Sequence, residues 1–262
     1  MVDLDQASGL ASIEQESVSK LLSDVKLVAE KPLVHQIVES VRRLIITVRL
    51  LPGQKISESA LSAAFDASKT PVREALIRLE AAGLVNIVPK SGTFVAPIRI
   101  EKYFDAFFIR LHLETGAVRR AAAMARAGQP LDPIDRVMER QERALSEKDY
   151  DLFFALDEHL HQGIFDMAGI SGVWETARRA QTELYRVRHL KRICTLQRGP
   201  VILAQHQDLV AAIRSGEPDA AEAALVAHVG SLEQEADVIW SAPGLIENIE
   251  RLNAERPRPR LR

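Results

Sequence analysis

Cysteine is almost absent from this 262-residue chain: Cys194 stands alone, which excludes an intrachain disulfide and points to a reducing cytoplasm. Cys194 itself reads as a small, buried apolar side chain. Aromatic residues are scarce at 5%, whereas alanine, leucine, valine and arginine abound, a composition that favours helix over sheet. No apolar run approaches the roughly 20 residues that cross a bilayer, and the opening MVDLDQASGLASIEQES is polar where a secretion leader is apolar. A cytoplasmic protein without a membrane segment is therefore expected. A glycine-rich phosphate loop and a nucleophile motif are missing too, so no enzymatic chemistry is expected.

What is present is unevenly distributed. The net charge is −2, but residues 31–98 hold nine Lys/Arg against five Asp/Glu, and the rest of the chain holds 25 against 31. A basic module joined to a mildly acidic one fits a nucleic-acid reader attached to something else. The length allows two domains, each able to bury a core.

The basic module centres on residues 68–83. Val72, Ala75, Leu76 and Leu79 recur at i, i+3, i+4 and i+7, the buried stripe of a helix. Lys69, Thr70 and Arg73 lie off that stripe, Ser68 or Thr70 can cap the first turn, and Pro71 is tolerated there. Cations and hydroxyls thus stand beside the positive end of a helix dipole, a combination suited to phosphate oxygens and base edges. Upstream, Val34, Ile37, Val38, Val41, Ile45 and Val48 mark a first helix, Gln54–Ile56 is extended, and Ser57 caps a second helix through Ala60, Leu61, Ala64 and Phe65. Downstream, residues 84–88 and 93–95 read as two strands around Pro89-Lys90-Ser91-Gly92. The order predicts a winged helix-turn-helix whose third helix enters the major groove while the strand tip reaches neighbouring backbone or minor groove.

Residues 96–100 read as a short hinge. Beyond it helices are expected over about 101–127, 132–147, 149–168, 172–197, 201–215 and 218–240, an antiparallel bundle. The fold class is therefore mostly α: an N-terminal winged helix-turn-helix (31–98) and a C-terminal all-α bundle (101–240). An N-terminal extension (1–30) carries the apolar fragment Val18-Leu21-Leu22-Val25-Val28, and a polar tail (241–262) ends in alternating arginine and proline. Trp174 and Trp240 read as packing anchors, and Arg178, Arg179, Arg186 and Arg188 as a solvated face.

In the bundle, Asp157 and His161 stand four apart on one helix face. His206 and His228 each lie ten residues from the Gly216-Glu217-Pro218 turn, at one level of a hairpin, roughly 15 Å from its bend. If the three helices are neighbours, one carboxylate and three imidazoles converge on a divalent cation such as Zn²⁺, Ni²⁺ or Mn²⁺, with room for an exogenous carboxylate.

Pro52-Gly53-x-x-Ile56-Ser57-Glu58, Thr70-Pro71-Val72-Arg73-Glu74-Ala75-Leu76, Leu79-Glu80-x-x-Gly83-Leu84-Val85 and Gly92-x-Phe94-Val95 together resemble the GntR family of bacterial transcription regulators. Arg110-x-x-x-Glu114, the Asp157–His161 helix and the His206 to His228 hairpin resemble the FCD effector domain of its FadR-type members. The resemblance implies DNA contacts from Ser68, Lys69, Thr70 and Arg73, with Lys90, Ser91 and Gly92 at the wing. Ser59 departs from the pattern, standing where many relatives have a DNA-contacting arginine. It further implies a homodimer on a palindromic double-stranded operator, a repressor in the first instance, and a metal that helps bind a small carboxylate effector. Arg110 is either that carboxylate's partner or a bundle ion pair with Glu114. Two rival readings are a metal-dependent enzyme with an accessory DNA-binding module and an architectural DNA-binding protein with a structural metal.

Overall fold

The computed structural model describes residues 16–23, 27–194, 199–242 and 244–254. Val25, the expected helical stretch 195–197 and the Arg/Pro-rich end after Ala254 lie outside the described residues. The chain divides into two compact units. The first takes the described residues up to Tyr103, Thr182–Cys194 and those from Ile239 onward; the second takes Phe104–Gln181 and the described residues from there to Val238.

The first unit contains α1 (Val18–Leu21), α2 (Leu33–Ile46), β1 (Lys55–Ile56), α3 (Glu58–Ala64), α4 (Lys69–Ala81), β2 (Val85–Val88) and β3 (Gly92–Val95). The apolar stripes do what their period dictates: Ile37, Val41, Leu44 and Ile45 of α2 meet Val72, Ala75, Leu76 and Leu79 of α4 in one core, closed by Leu61 and Phe65. The extended Lys55-Ile56 pair is a third strand. The sheet order is β1-β3-β2, antiparallel throughout, with Lys55 opposite Phe94 and Val88 opposite Gly92. Gly92 has φ +125°, a backbone conformation that side-chain-bearing residues rarely adopt, so glycine is required there.

The segment read as a hinge is pinned instead. Helix α9 (Thr182–Cys194) and helix α13 (Leu245–Ala254) both belong to this unit. Arg186, fully buried rather than solvated, donates to Ala96 O at 2.8 Å and Pro97 O at 3.2 Å, and pairs with Glu183 at 3.1 Å. Asn253 accepts from Ile98 N at 3.0 Å and donates to Ile98 O at 2.8 Å. These side chains satisfy backbone groups that no helix or strand serves.

The second unit is built from α5 (Ile100–Arg126) beyond Tyr103, α6 (Asp132–Ser146), α7 (Tyr150–Met167), α8 (Ser171–Ala180), α10 (Gly199–Arg214), α11 (Pro218–Val229) and the start of α12 (Leu232–Ser241). Ala117, Ala121 and Ala122 form a small-residue face on α5, and they share a core with Leu160, Ile164, Phe165, Trp174, Leu209, Ile213 and Leu225. Two expected helices are each broken once. The 172–197 stretch breaks between α8 and α9 at Gln181, and 218–240 breaks at Gly230, whose φ of +91° no helix interior holds. Trp174 is a packing anchor against Phe165, with ring centroids 5.5 Å apart. Trp240 is not one: it is 62% exposed. No helix among the described residues is long and apolar enough to cross a membrane.

Candidate nucleic-acid face and candidate metal centre

Helix α4 begins at Lys69 with Ser68 in the N-cap position, although the Ser68 hydroxyl makes no capping hydrogen bond. Ser68, Lys69, Thr70 and Arg73 are all exposed, because the burial of Val72, Ala75 and Leu76 turns the opposite face of the helix outward. Arg73 pairs with neither Glu74 nor Glu80; its Nε reaches Glu58 of α3 at 3.0 Å, and Glu74 instead holds Arg78 at 2.6 Å. At the wing tip Lys90 and Ser91 are exposed, and Lys90 occupies the left-handed region at φ +63°. Ser59 is exposed, its hydroxyl 2.7 Å from that of Ser57.

The second unit gathers a buried polar cluster. Helix α7 supplies Asp157 and His161 from one face, α10 supplies His206 and α11 supplies His228. One ligand atom from each lies within 4.8 Å of all the others. Asp157, His161 and His206 are buried and His228 is partly so.

Each imidazole is backed on its Nδ1 side. Gln141 Oε1 lies 2.8 Å from His206 Nδ1, and the same amide donates through Nε2 to Phe153 O at 3.3 Å, which fixes its orientation. Gln205 Oε1 lies 3.3 Å from His228 Nδ1, with its Nε2 on Ala227 O at 3.4 Å. Glu114 Oε2 approaches His161 Nδ1 at 2.9 Å, an ion-pair contact whose direction falls short of a linear hydrogen bond. Acceptors on the Nδ1 side place the proton there and leave each Nε2 as a lone pair.

Two of those lone pairs, on His206 and His228, face one another. His206 Nε2 stands 3.3 Å from His228 Nε2 and 3.3 Å from Asp157 Oδ1. Three acceptors crowded together in a buried space repel unless positive charge lies among them, so the donor set fits a divalent cation bound by imidazole and carboxylate. Arg110 borders the cluster: its Nη2 is 2.9 Å from His161 Nε2 and its Nε is 2.9 Å from Glu114 Oε1. Burial pushes the Glu114 carboxyl up, but Arg110 and His161 outweigh this and bring it down to about 2. Burial, helped by the neighbouring His161, His206 and Arg110, holds the His228 imidazole well below its ordinary value, so it is neutral and available as a ligand at neutral pH.

The four residues singled out by spacing are thus brought together, with Arg110 beside them. Sequence reasoning missed the two glutamines. Gln141 had a signal, a polar residue that is fully buried on the stripe carrying Ile134 and Ala144.

A winged helix-turn-helix in one unit and a helical second unit with a buried ligand-type cluster define the class, a DNA-binding regulator. Comparison with known proteins fixes the family. Residues 33–95 match the model of bacterial regulatory proteins, gntR family, and residues 105–231 match that of the FCD domain. The chain is 30% identical over 211 residues to the HTH-type transcriptional repressor RspR of Escherichia coli K12, covering 80% of this chain and 92% of RspR. It is 33% identical over 220 residues to an uncharacterized HTH-type transcriptional regulator in an unstable DNA locus of Streptomyces ambofaciens, covering 82% of this chain and 84% of that one. The solved structure of E. coli McbR/YncC shares the fold, with a TM-score of 0.68 and 19% identity over 80% of this chain and 98% of that one. The protein belongs to the GntR family, in the branch that carries an FCD domain. It is a DNA-binding transcriptional regulator, and its relatives and families are regulators rather than enzymes.

Proposed function

We propose that the protein is a metabolite-responsive repressor that binds a palindromic operator as a homodimer. Ser68, Lys69, Thr70 and Arg73 enter the major groove, and Lys90, Ser91 and Gly92 meet the adjacent backbone or minor groove. A two-fold protein reads a two-fold site, with half-site spacing set by the dimer. The sign of regulation rests on the repressor RspR.

The sensing half rests on one observation: His206 Nε2, His228 Nε2 and Asp157 Oδ1 converge with lone pairs inward. Asp157, His161, His206 and His228 would hold the cation, with Zn²⁺, Ni²⁺ and Mn²⁺ all compatible with nitrogen and oxygen donors. When bound, the ion supplies an electrophilic contact for an oxygen ligand. Charge then dictates the effector class. Asp157 and Glu114 contribute two negative charges, Arg110 one positive and the ion two, so the buried cluster carries one excess positive charge. A small carboxylate neutralises it, with Arg110 positioned by Glu114 to meet that group. Its preference for one of two arrangements of the protein shifts DNA affinity.

The test is a melting-temperature screen of mono- and dicarboxylates, sugar acids and aromatic acids with and without chelator, followed by gel shift on the DNA upstream of the gene. A carboxylate that raises the melting temperature only with metal, and releases the DNA, is expected. An acid panel that moves neither quantity in metal-loaded protein would leave a regulator with no carboxylate sensor.

A further inference from the structure

Helix α4 turns outward one residue to which the cations and hydroxyls of the proposed DNA face give no role. Viewed down the axis at about 100° per residue, Val72, Ala75, Leu76 and Leu79 centre the buried side and Ile77 falls nearly opposite them. It stands within about 20° of Thr70, between Arg73 and Glu74, and about 6 Å further along the axis than Arg73. Its side chain is large and apolar, yet the residue is 59% exposed.

Neither the helix nor the domain core accounts for an isoleucine there. A β-branched side chain loses χ1 freedom in a helix and favours it less than Lys, Arg, Glu or Gln would at an exposed position. The winged-helix core draws on the opposite side of α4. The carboxylates around Ile77 are engaged within the unit: Glu74 is held by Arg78 at 2.6 Å, Glu58 by Arg73 at 3.0 Å, and Glu80 Oε1 accepts from Ile87 N at 2.7 Å. An apolar surface is thus presented among paired charges.

A helix lying in the major groove reads base edges from positions at i, i+3, i+4 and i+7. Counted from Thr70, these are Arg73, Glu74 and Ile77. Isoleucine has no donor or acceptor for the polar edges of guanine, cytosine or adenine. One group in the major groove suits it, the 5-methyl of thymine.

We infer that Ile77 is a specificity-determining residue that packs against a thymine methyl, so that each operator half-site carries a T·A pair one turn of α4 beyond the position met by Arg73. This rests on the proposed DNA face and adds one base identity to it.

Deoxyuridine in place of thymidine removes that methyl and leaves pairing and charge intact. Fluorescence anisotropy of the full chain on the upstream DNA fragment that it shifts, with each thymine of the site replaced in turn, tests the assignment. Wild type should lose about fourfold in affinity at one thymine of each half-site, the worth of one buried methyl. Ile77→Ala should lose about as much on unmodified DNA and be indifferent to uracil at that thymine, because both changes remove the same contact. Ile77→Val should keep the sensitivity, and in both variants the slope of log K against log salt should stay at the wild-type value, since no phosphate contact is lost. A uracil profile identical in wild type and Ile77→Ala would overturn the inference. So would an altered oligomeric state of Ile77→Ala with an unaltered profile, which would assign the side chain to a protein contact. Arg73→Ala separates this inference from the reading beneath it: impaired binding by that variant leaves the main face standing when Ile77 fails, and wild-type binding removes the main face itself. Melting temperature checks that both Ile77 variants are folded, as the exposure of the site predicts.

Discussion

Two Arg–Glu pairs of nearly the same length have opposite uses. Arg73–Glu58 spans 3.0 Å between side chains 62% and 38% exposed; Arg110–Glu114 spans 2.9 Å between side chains 5% and 3% exposed. An exposed pair is screened by water and is worth about 0–1 kcal/mol, so Arg73 can leave Glu58 for a phosphate or a base edge at little cost. A buried pair is held by the expense of separating it, because a lone charge left inside costs about 3–5 kcal/mol. Under the proposed function the surface pair is a resting place for a contact residue. The interior pair is scaffolding that fixes a guanidinium beside three imidazoles.

The largest effect that tests this contrast is Glu114→Ala, which takes from Arg110 its buried carboxylate partner and removes the backing of His161. Denaturant unfolding should show a loss of about 3–5 kcal/mol, whereas Arg73→Ala should stay within about 1 kcal/mol of wild type. Equal losses would erase the distinction. In DNA binding the order reverses: Arg73→Ala should cost about 1–3 kcal/mol of sequence discrimination, read as the ratio of gel-shift affinities for upstream and scrambled DNA.

Gln141→Leu sharpens the account of the buried cluster. It removes the acceptor that fixes the His206 tautomer and should weaken metal binding by about 10- to 100-fold in competition with a chromogenic chelator. Unchanged affinity would mean that the glutamine only fills space.

The smallest effect is in acid. The Glu114 carboxyl is depressed from an ordinary 4.5 to about 2, so its ionised form stabilises the fold above the unfolded value and that contribution is lost as pH falls from 4.5 through 2. In chelator-treated protein, Glu114→Gln should flatten the acid limb of stability within that window. An unaltered limb would place acid sensitivity in other carboxylates.

Much of this was legible because both signals are local or symmetric. The Val72–Leu79 stripe follows from helical period, Asp157 and His161 share a face at i, i+4, and His206 and His228 are equidistant from one turn. What was not legible depends on the rest of the chain. Nothing near Gln181 breaks a helix by propensity, since neither glycine nor proline stands there; the break shows only in the fold. Arg186 reads as one more surface arginine until Ala96 and Pro97 carbonyls, ninety and eighty-nine residues away, take its donors. Likewise residues 96–99 have no pattern of their own, because α9 and α13 satisfy their backbone from afar. Trp240 is near the end of a helix whose buried face is marked by Ile239, so its indole turns outward.

The most direct measurement of the central claim is metal content after equilibrium dialysis against a divalent metal, for wild type and for His206→Ala with His228→Ala. The account predicts one tightly held ion per chain in the wild type and none in the double variant, with the winged helix still folded and binding DNA. Equal retention by both proteins, or none by either, would contradict it.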